Sequence, residues 1–390
     1  MIKTIRFGFL KGMTKFQKIP MSSSPLSSIF ILIRSLGVGG AERQVCVLAR
    51  ALHQKGYKVT VGLFYSGGIL EKILREEGVS IYALDKKGRW DLIGWFWRYL
   101  KAIRDVNPDV IYSFLTTSNI VAITGRLFVQ KPVVWGIRAS NIELGNYDRV
   151  ARLIAWVEKK LSVYVQTIIF NANFSRQHHQ SLGYCLNNAI VISNGIDTDV
   201  FRPGSDSGKH KLRAQWNIPK EAIVVGMLAR VDPMKDYETF LAAARALSAR
   251  HQDLYFIVAG AGTDTASWHS LPPRFLRLGI WEDVPGLLNT LDIMVLSSSY
   301  GEGFPNVVGE AMACGIPTIA TNVGDASYIM GDLGISIPVK NKDALIQAIE
   351  SMLQQAPSKE AIRDRIITHF SVPQMVNRTI QTLTEACGSP

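Results

Sequence analysis

The chain is expected to form an α/β protein with two Rossmann-like halves, each a parallel, doubly wound sheet. Short β-branched apolar runs alternate with amphipathic helical stretches, the pattern of buried parallel strands with crossover helices. The alternation comes in two rounds, separated by the turn-rich stretch "VISNGIDTDVFRPGSDSG" (191–208). At 390 residues the chain is too long for one ordinary core and suits two.

The first round opens with "SIFILIRSL" (28–36), a strand that runs into "GVGG" and then a helix starting near Ala41. Further strands are expected at 57–65, 79–84, 109–115, 132–137 and 167–172. The second round places strands at 222–229, 254–260, 274–279, 293–297 and 316–321, with helices at 237–250, 305–313 and 343–354. Asn194–Gly195 is a natural hinge. The expected divisions are a basic tail (1–27), an N-terminal domain (28–195), a C-terminal domain (196–372) and a final helix (373–390).

Composition narrows the function. No apolar run reaches 18 residues and the N-terminal stretch lacks a signal-peptide core, so neither a membrane span nor export is expected and a cytoplasmic location is. The four cysteines, 46, 185, 314 and 387, have no spacing for a disulfide framework, a zinc site or a redox pair. Residues 1–199 hold 26 Lys and Arg against 13 Asp and Glu, whereas the remainder is nearly balanced. A basic half without a nucleic-acid recognition motif points away from DNA and RNA and towards an anionic surface or substrate. "RWDLIGWFWRYLKAIRDV" (89–106) mixes tryptophans with Arg and Lys, as a helix at a lipid headgroup layer does and as a core-facing helix with a basic rim also does. Together with the acid-free basic tail it makes contact with an anionic membrane an expectation.

Ligands of open parallel sheets bind beyond the carboxyl ends of strands. In "GVGGAER" the glycines, Gly39 and Gly40 among them, allow close backbone approach at a helix N-terminus, suiting a phosphate, a sugar hydroxyl or simply a tight turn. The loop matches neither the dinucleotide fingerprint nor the P-loop. In "LARVDPMKD", Arg230 follows a strand and Lys235 precedes a helix, where two cations are unfavourable unless an anion joins them. In "YGEGFPNVVGEAMACGIP" (300–317), Glu302 lies on a loop and Glu310 more than a turn into a helix. Two carboxylates suit a glycosidase pair. The Arg230/Lys235 clamp favours a departing nucleoside diphosphate instead, with one carboxylate for sugar hydroxyls and one for a ribose diol. Asp197 and Asp199 form an Asp-x-Asp that could hold a cation but reads better as hinge turn chemistry. Arg138 and Asn119 are the acceptor-side candidates, Arg138 for a phosphate. His178 and His179 read as surface residues.

With "GGAER", "SNGID", "ARVDPMKD" and "EGFPNVVGEAMACGIP" in this order, the chain resembles the retaining glycosyltransferases of family 4, from about residue 28 to the last helix. The resemblance implies the GT-B architecture, two Rossmann-like domains facing across a cleft. It implies that Arg230 and Lys235 hold the donor diphosphate, that Glu302 with the backbone of Gly303, Phe304, Pro305 and Asn306 holds the transferred sugar, and that Glu310 binds the ribose. Gly39 and Gly40 would approach the donor from the other domain, and the final helix would cross back onto the N-terminal domain. No metal and no cofactor are implied beyond the nucleoside-diphosphate sugar, UDP favoured over GDP. The acceptor would be a lipid-linked or saccharide hydroxyl in cell-envelope polysaccharide or glycolipid synthesis. Two departures stand out: Arg138 replaces a His of several relatives, and the segment "GAGTDTASWHSLPPRFLRLG" is shorter than relatives usually have, after which Trp281 falls where relatives often carry Arg. A non-catalytic nucleotide-sugar-binding module is the alternative outside enzymes.

Overall fold

A computed structural model describes residues 26–388 except 38, 89 and 139–148. The basic tail therefore lies outside the described residues up to position 25, as does Arg89. The described chain divides into two compact units, one of residues 26–195 with 372–388 and one of residues 196–371.

The first unit contains β1 (Ser28–Ile33), α1 (Gly40–Gln54), β2 (Lys58–Leu63), α2 (Ile69–Glu76), β3 (Ser80–Ala83), α3 (Ile93–Val106) and β4 (Val110–Phe114). It continues with α4 (Thr116–Val129), β5 (Val133–Ile137), α5 (Arg149–Leu161), β6 (Thr167–Phe170), α6 (Asn173–Ser181) and β7 (Ala189–Val191). Its seven strands are parallel in the order β3-β2-β1-β4-β5-β6-β7, with Ile29 paired to Val59 on one side and Val110 on the other. All six residues of β1 and all five of β4 are buried, which is why these strands read as unbroken apolar runs rather than alternating ones.

The second unit holds α7 (Asp206–Gln215), β8 (Ile223–Leu228), a 3-10 turn (Pro233–Lys235), α8 (Tyr237–Arg250), β9 (Leu254–Ala259), β10 (Phe275–Arg277) and α9 (Val284–Leu288). After these come β11 (Ile293–Leu296), α10 (Asn306–Ala313), β12 (Thr318–Thr321), α11 (Ala326–Met330), β13 (Gly334–Ile337), α12 (Lys342–Gln354) and α13 (Lys359–Phe370). Its six parallel strands run β10-β9-β8-β11-β12-β13. In each sheet the direction of winding reverses once, between β1 and β4 and between β8 and β11. The loops leaving those central strands must diverge there and leave a crevice.

The last helix, α14 (Val372–Gly388), buries Met375, Val376, Thr379, Thr382, Leu383 and Ala386 against the first unit, beside α1, β4 and β5. Arg378 Nη2 donates to the Val191 carbonyl at 2.8 Å. At the hinge, Gln44 clasps Gly195, accepting from its N–H at 3.1 Å and donating to its carbonyl at 3.3 Å. No described helix is long and apolar enough to cross a membrane, and the four cysteines are all free thiols.

Three features differ from the sequence expectation. Strand β13 was not expected: it is an edge strand, half-exposed along most of its length, and so lacks the full apolar run of the central strands. Helix α7, also unexpected, begins in the last residues of the turn-rich stretch 191–208 and runs on to Gln215; it is almost wholly polar and is held by Lys209, which pairs with Asp292 at 2.7 Å, and by the buried Arg213. That guanidinium donates to the Thr290 carbonyl (2.7 Å), the Ala222 carbonyl (2.7 Å) and the Asp292 carboxylate (2.6 Å). His179 is no surface residue. It is 1 % exposed, packed between Phe170 and Tyr184 with ring centroids 5.3 and 4.8 Å away, and its Nδ1 lies 2.8 Å from the Ser175 carbonyl.

Burial holds the His179 imidazole neutral, lowering its pKa from 6.5 to about 4. As pH falls, the unfolded chain binds the proton first, so the stability due to neutral His179 is whole above pH ~6.5 and is lost down to about 4, roughly 3 kcal/mol in all. Urea denaturation of His179→Phe should therefore show a shallower loss of stability than wild type across this window. An identical pH dependence would contradict the assignment.

Candidate functional site

The crevice between β8 and β11 collects the charged residues of the second unit. Beyond β8, Asp232 caps the 3-10 turn by accepting from Met234 N at 3.0 Å, and Asp236, in the left-handed region, caps α8. These two caps set the direction of Lys235 between them. Beyond β11, Ser297 Oγ lies 3.0 Å from the carbonyl oxygens of both Lys235 and Asp236, and Ser299 N donates to the Met234 carbonyl at 2.7 Å. The two loops are stitched backbone to side chain along their length.

Lys235 Nζ forms a salt bridge with Glu302 Oε1, and Ser298 Oγ donates to the same oxygen at 2.6 Å. The pair is nearly enclosed, the side chains of Lys235 and Glu302 being 13 % and 10 % exposed. Glu302 can sit so deep because Gly301 turns the chain at φ +79° and Gly324 lies against it at φ +61°. A β-carbon on Gly324 would meet the Glu302 and Gly303 carbonyl oxygens at 2.6 Å. Thr321 Oγ1 and Asp325 N then bind the carbonyls of Ser298 and Gly303, at 2.5 and 2.7 Å.

Arg230 is oriented differently. Its guanidinium reaches Asp232 Oδ2 at 3.1 and 3.0 Å and is 61 % exposed. The Asp232 carboxyl is held below the usual carboxylate range by the Met234 N–H, then by the Arg230 guanidinium and the nearby Lys235 charge. Asp232 thus stands by both cations. Gly303, Phe304 and Pro305 are buried and lead into α10, with Pro305 as N-cap and Asn306 as first residue. The Phe304 ring packs 5.7 Å from that of Phe370, anchoring this turn to α13. Glu310 is the fifth residue of α10, half-buried, and adds to burial in pushing the Cys314 thiol up to about 12.

In the first unit, Gly39 and Gly40 open α1 with no side-chain cap. Glu42 folds back over Gly39, its carboxylate oxygen 2.2 Å from where a β-carbon would stand. An anion here would face that carboxylate, so the loop suits a hydroxyl better than a phosphate. Arg138, just past β5, donates to Asn194 Oδ1 at 2.8 Å and to Tyr112 OH at 3.3 Å and stacks over Phe114 at 5.1 Å, all neutral groups. Asn119 is fully buried: its Oδ1 accepts from Ser113 Oγ at 2.8 Å and its Nδ2 donates to Glu158 at 2.9 Å. It positions neighbours rather than meeting a ligand.

Two family models match the chain, "Glycosyltransferase Family 4" over residues 38–200 and "Glycosyl transferases group 1" over residues 208–368. This chain belongs to the family-4 glycosyltransferases of GT-B fold. A UDP-Gal:alpha-D-GlcNAc-diphosphoundecaprenol alpha-1,3-galactosyltransferase of Escherichia coli is 27% identical over 305 residues, 71% of this chain and 76% of that one. A D-inositol 3-phosphate glycosyltransferase of Corynebacterium aurimucosum is 27% identical over 198 residues, so this chain spans about half its length, 47% of each. Among solved structures, Anabaena HepE in complex with UDP superposes with TM-score 0.80 at 20% identity, covering 92% of this chain and 100% of that one. A glycosyltransferase from Rickettsia africae gives 0.81 at 19%, covering 94% and 100%.

In this family-4 glycosyltransferase the structure brings Lys235, Glu302 and Arg230 to one sheet edge and leaves Glu310 a helical turn beyond. Sequence reasoning missed Ser298 and Glu158. The run "SSSYG" after a strand was the available signal for Ser298. Nothing marked Glu158, which reads as one more charge on a basic helix yet is 1 % exposed and bound by Asn119 and by Tyr184 OH at 3.0 Å. Burial pushes the Glu158 carboxyl up, against the donors that lower it. Asp197 serves its own turn, accepting from Asp199 N and Val200 N at 3.1 Å. Trp281 packs edge-on against Trp216 at 5.3 Å, an internal contact of the second unit.

Removing one member of an enclosed ion pair leaves the other charge uncompensated. Lys235→Met should therefore lower stability to urea by about 3 kcal/mol, with part restored in Lys235→Met/Glu302→Gln. Unchanged stability in the single variant would show that Glu302 does not rely on Lys235.

Proposed function

We propose that this glycosyltransferase moves a sugar from a nucleoside diphosphate, UDP in preference to GDP, to a hydroxyl of a lipid-linked or saccharide acceptor at the cytoplasmic face of a membrane. The observation that carries the reading is the Lys235–Glu302 pair with Arg230 at the β8/β11 crevice. A diphosphate there would be met by two cations, and its growing charge on departure would be stabilised without a metal. Arg230 would swing from Asp232 to the phosphates, an exchange its exposure permits. Glu302, fixed by Lys235 and Ser298, presents its other oxygen to sugar hydroxyls, the N-terminus of α10 lies next to the same place, and Glu310 is the group for the ribose. Retention of anomeric configuration and a cell-envelope role are part of the same proposal, made on the family resemblance. The relatives named for UDP-galactose, a diphosphoundecaprenol acceptor and inositol 3-phosphate support the donor and acceptor classes.

A glycosidase reading is weakened by the same pair. A glycosidase has no use for two cations beside its carboxylate, whereas a departing diphosphate has. A binding module without turnover would keep the donor interactions and form no product.

Arg230→Ala should lower transfer, followed as UDP release with lipid-linked and saccharide acceptors, by at least about 100-fold, because it removes charge stabilisation of the leaving group. Its thermal midpoint without ligand should match wild type, since the side chain is largely exposed. Turnover equal to wild type would overturn the proposal, as would a lack of thermal stabilisation by every UDP- and GDP-sugar tried.

A further inference from the structure

The first unit leaves a large aromatic and aliphatic surface in solvent on three helices, α3, α4 and α5, and on the 3-10 turn Ser162–Tyr164 that follows them. Ile93, Trp97, Leu127, Phe128, Trp156 and Tyr164 are all more than half exposed, Leu127 reaching 80 %. The elements that carry them are linked in space. The Phe128 ring of α4 lies 5.8 Å from Phe96 and 6.5 Å from Trp97, both on α3, and Arg126 at the end of α4 donates to the Tyr164 carbonyl at 2.8 Å, beyond α5. Helices α4 and α5 pack on each other between.

The other face of α3 explains why it is helical at all: Trp95, Tyr99, Leu100 and Ile103 are buried in the core, with Tyr99 against Gly125 of α4. The aromatic helix is therefore both things its sequence allowed, a core helix on one side and an exposed apolar helix on the other. Exposed apolar area on this scale marks a contact surface rather than scattered surface residues.

Its charge identifies the partner. Helices α3, α4 and α5 carry eight Lys or Arg and only two carboxylates. Of these two, Glu158 is buried, while Asp105 is exposed and accepts from the Tyr82 hydroxyl at 2.9 Å; among the cations, Arg98 is paired with Asp91. Lys160 stands over the Trp156 ring at 5.9 Å, a basic stem laid along an aromatic face. Two copies of this chain meeting through such a face would set like charges against each other. A bilayer with anionic headgroups receives both the cations at headgroup depth and the indole rings just below.

We propose that the α3–α4–α5 face of the first unit docks on the anionic lipid bilayer that carries the acceptor, with Trp97 and Phe128 entering the acyl boundary and Arg152, Lys159 and Lys160 at the headgroups. The purpose assigned to the contact rests on the lipid-linked acceptor reading, but the contact itself does not, and vesicles without donor or acceptor test it alone.

The full chain should float with phosphatidylcholine vesicles containing phosphatidylglycerol and not with phosphatidylcholine alone. Salt should release it, and lipids brominated in the acyl chain should quench its tryptophan fluorescence. Trp97→Ser/Phe128→Ser should weaken partition by at least about tenfold at an unchanged circular dichroism spectrum and thermal midpoint, and Lys159→Gln/Lys160→Gln should reduce the salt dependence. Binding that is equal in the aromatic variant, or that leaves the tryptophans unquenched, would overturn the proposal. So would a chain that ignores vesicles and instead forms a concentration-dependent dimer abolished by the same substitutions.

Discussion

Lys235 and Glu302 are 67 positions apart in sequence and meet because β8 and β11 are adjacent strands from which the chain winds in opposite directions. That adjacency supplies the crevice, and the rest of the second unit keeps it in shape. The two Asp caps aim Lys235, the serines after β11 tie one loop to the other, and Gly324 admits the Glu302 backbone where any side chain would collide. A lysine and a carboxylate so deep must satisfy each other. They do so through one oxygen, Glu302 Oε1, which meets both the Lys235 ammonium and the Ser298 hydroxyl.

The first unit uses the same topology with different chemistry. Its crevice lies between β1 and β4, and the sheet edge is bordered by Arg34 over the Tyr65 ring, the Gly39–Gly40 loop covered by Glu42, and Arg138 held by neutral partners. Beneath them, Ser113, Asn119, Glu158 and Tyr184 form a buried chain of hydrogen bonds across β4, α4, α5 and the segment after α6. A fully enclosed network of this kind is costly unless complete, and here it fixes the start of α4 relative to α5.

Much of this was legible from residues. Central strands such as β1 and β4 are buried on both faces, so their sequences are apolar without a break and their positions could be read directly. The loops after β8 and β11 could be read because Arg, Lys and Glu following a buried strand have few purely structural uses. Edge strand β13 and polar helix α7 could not, since one is half-exposed and the other is held by Lys209 and Arg213, whose shared partner Asp292 lies 83 and 79 residues away. His179 and Glu158 escaped for a related reason: each is a polar residue on a polar helix, and only the tertiary neighbours Phe170, Tyr184 and Asn119 make it interior. The α3 sequence allowed two orientations of its aromatics, and the fold uses both.

Hydrogen–deuterium exchange with and without saturating UDP tests the central claim most directly, because it reports where on the backbone the nucleotide acts. The account predicts slowed exchange at residues 230–237 and 298–310, the two loops and the start of α10 that meet at the β8/β11 crevice. Binding of UDP with protection confined to other segments, or with none at these two, would contradict it.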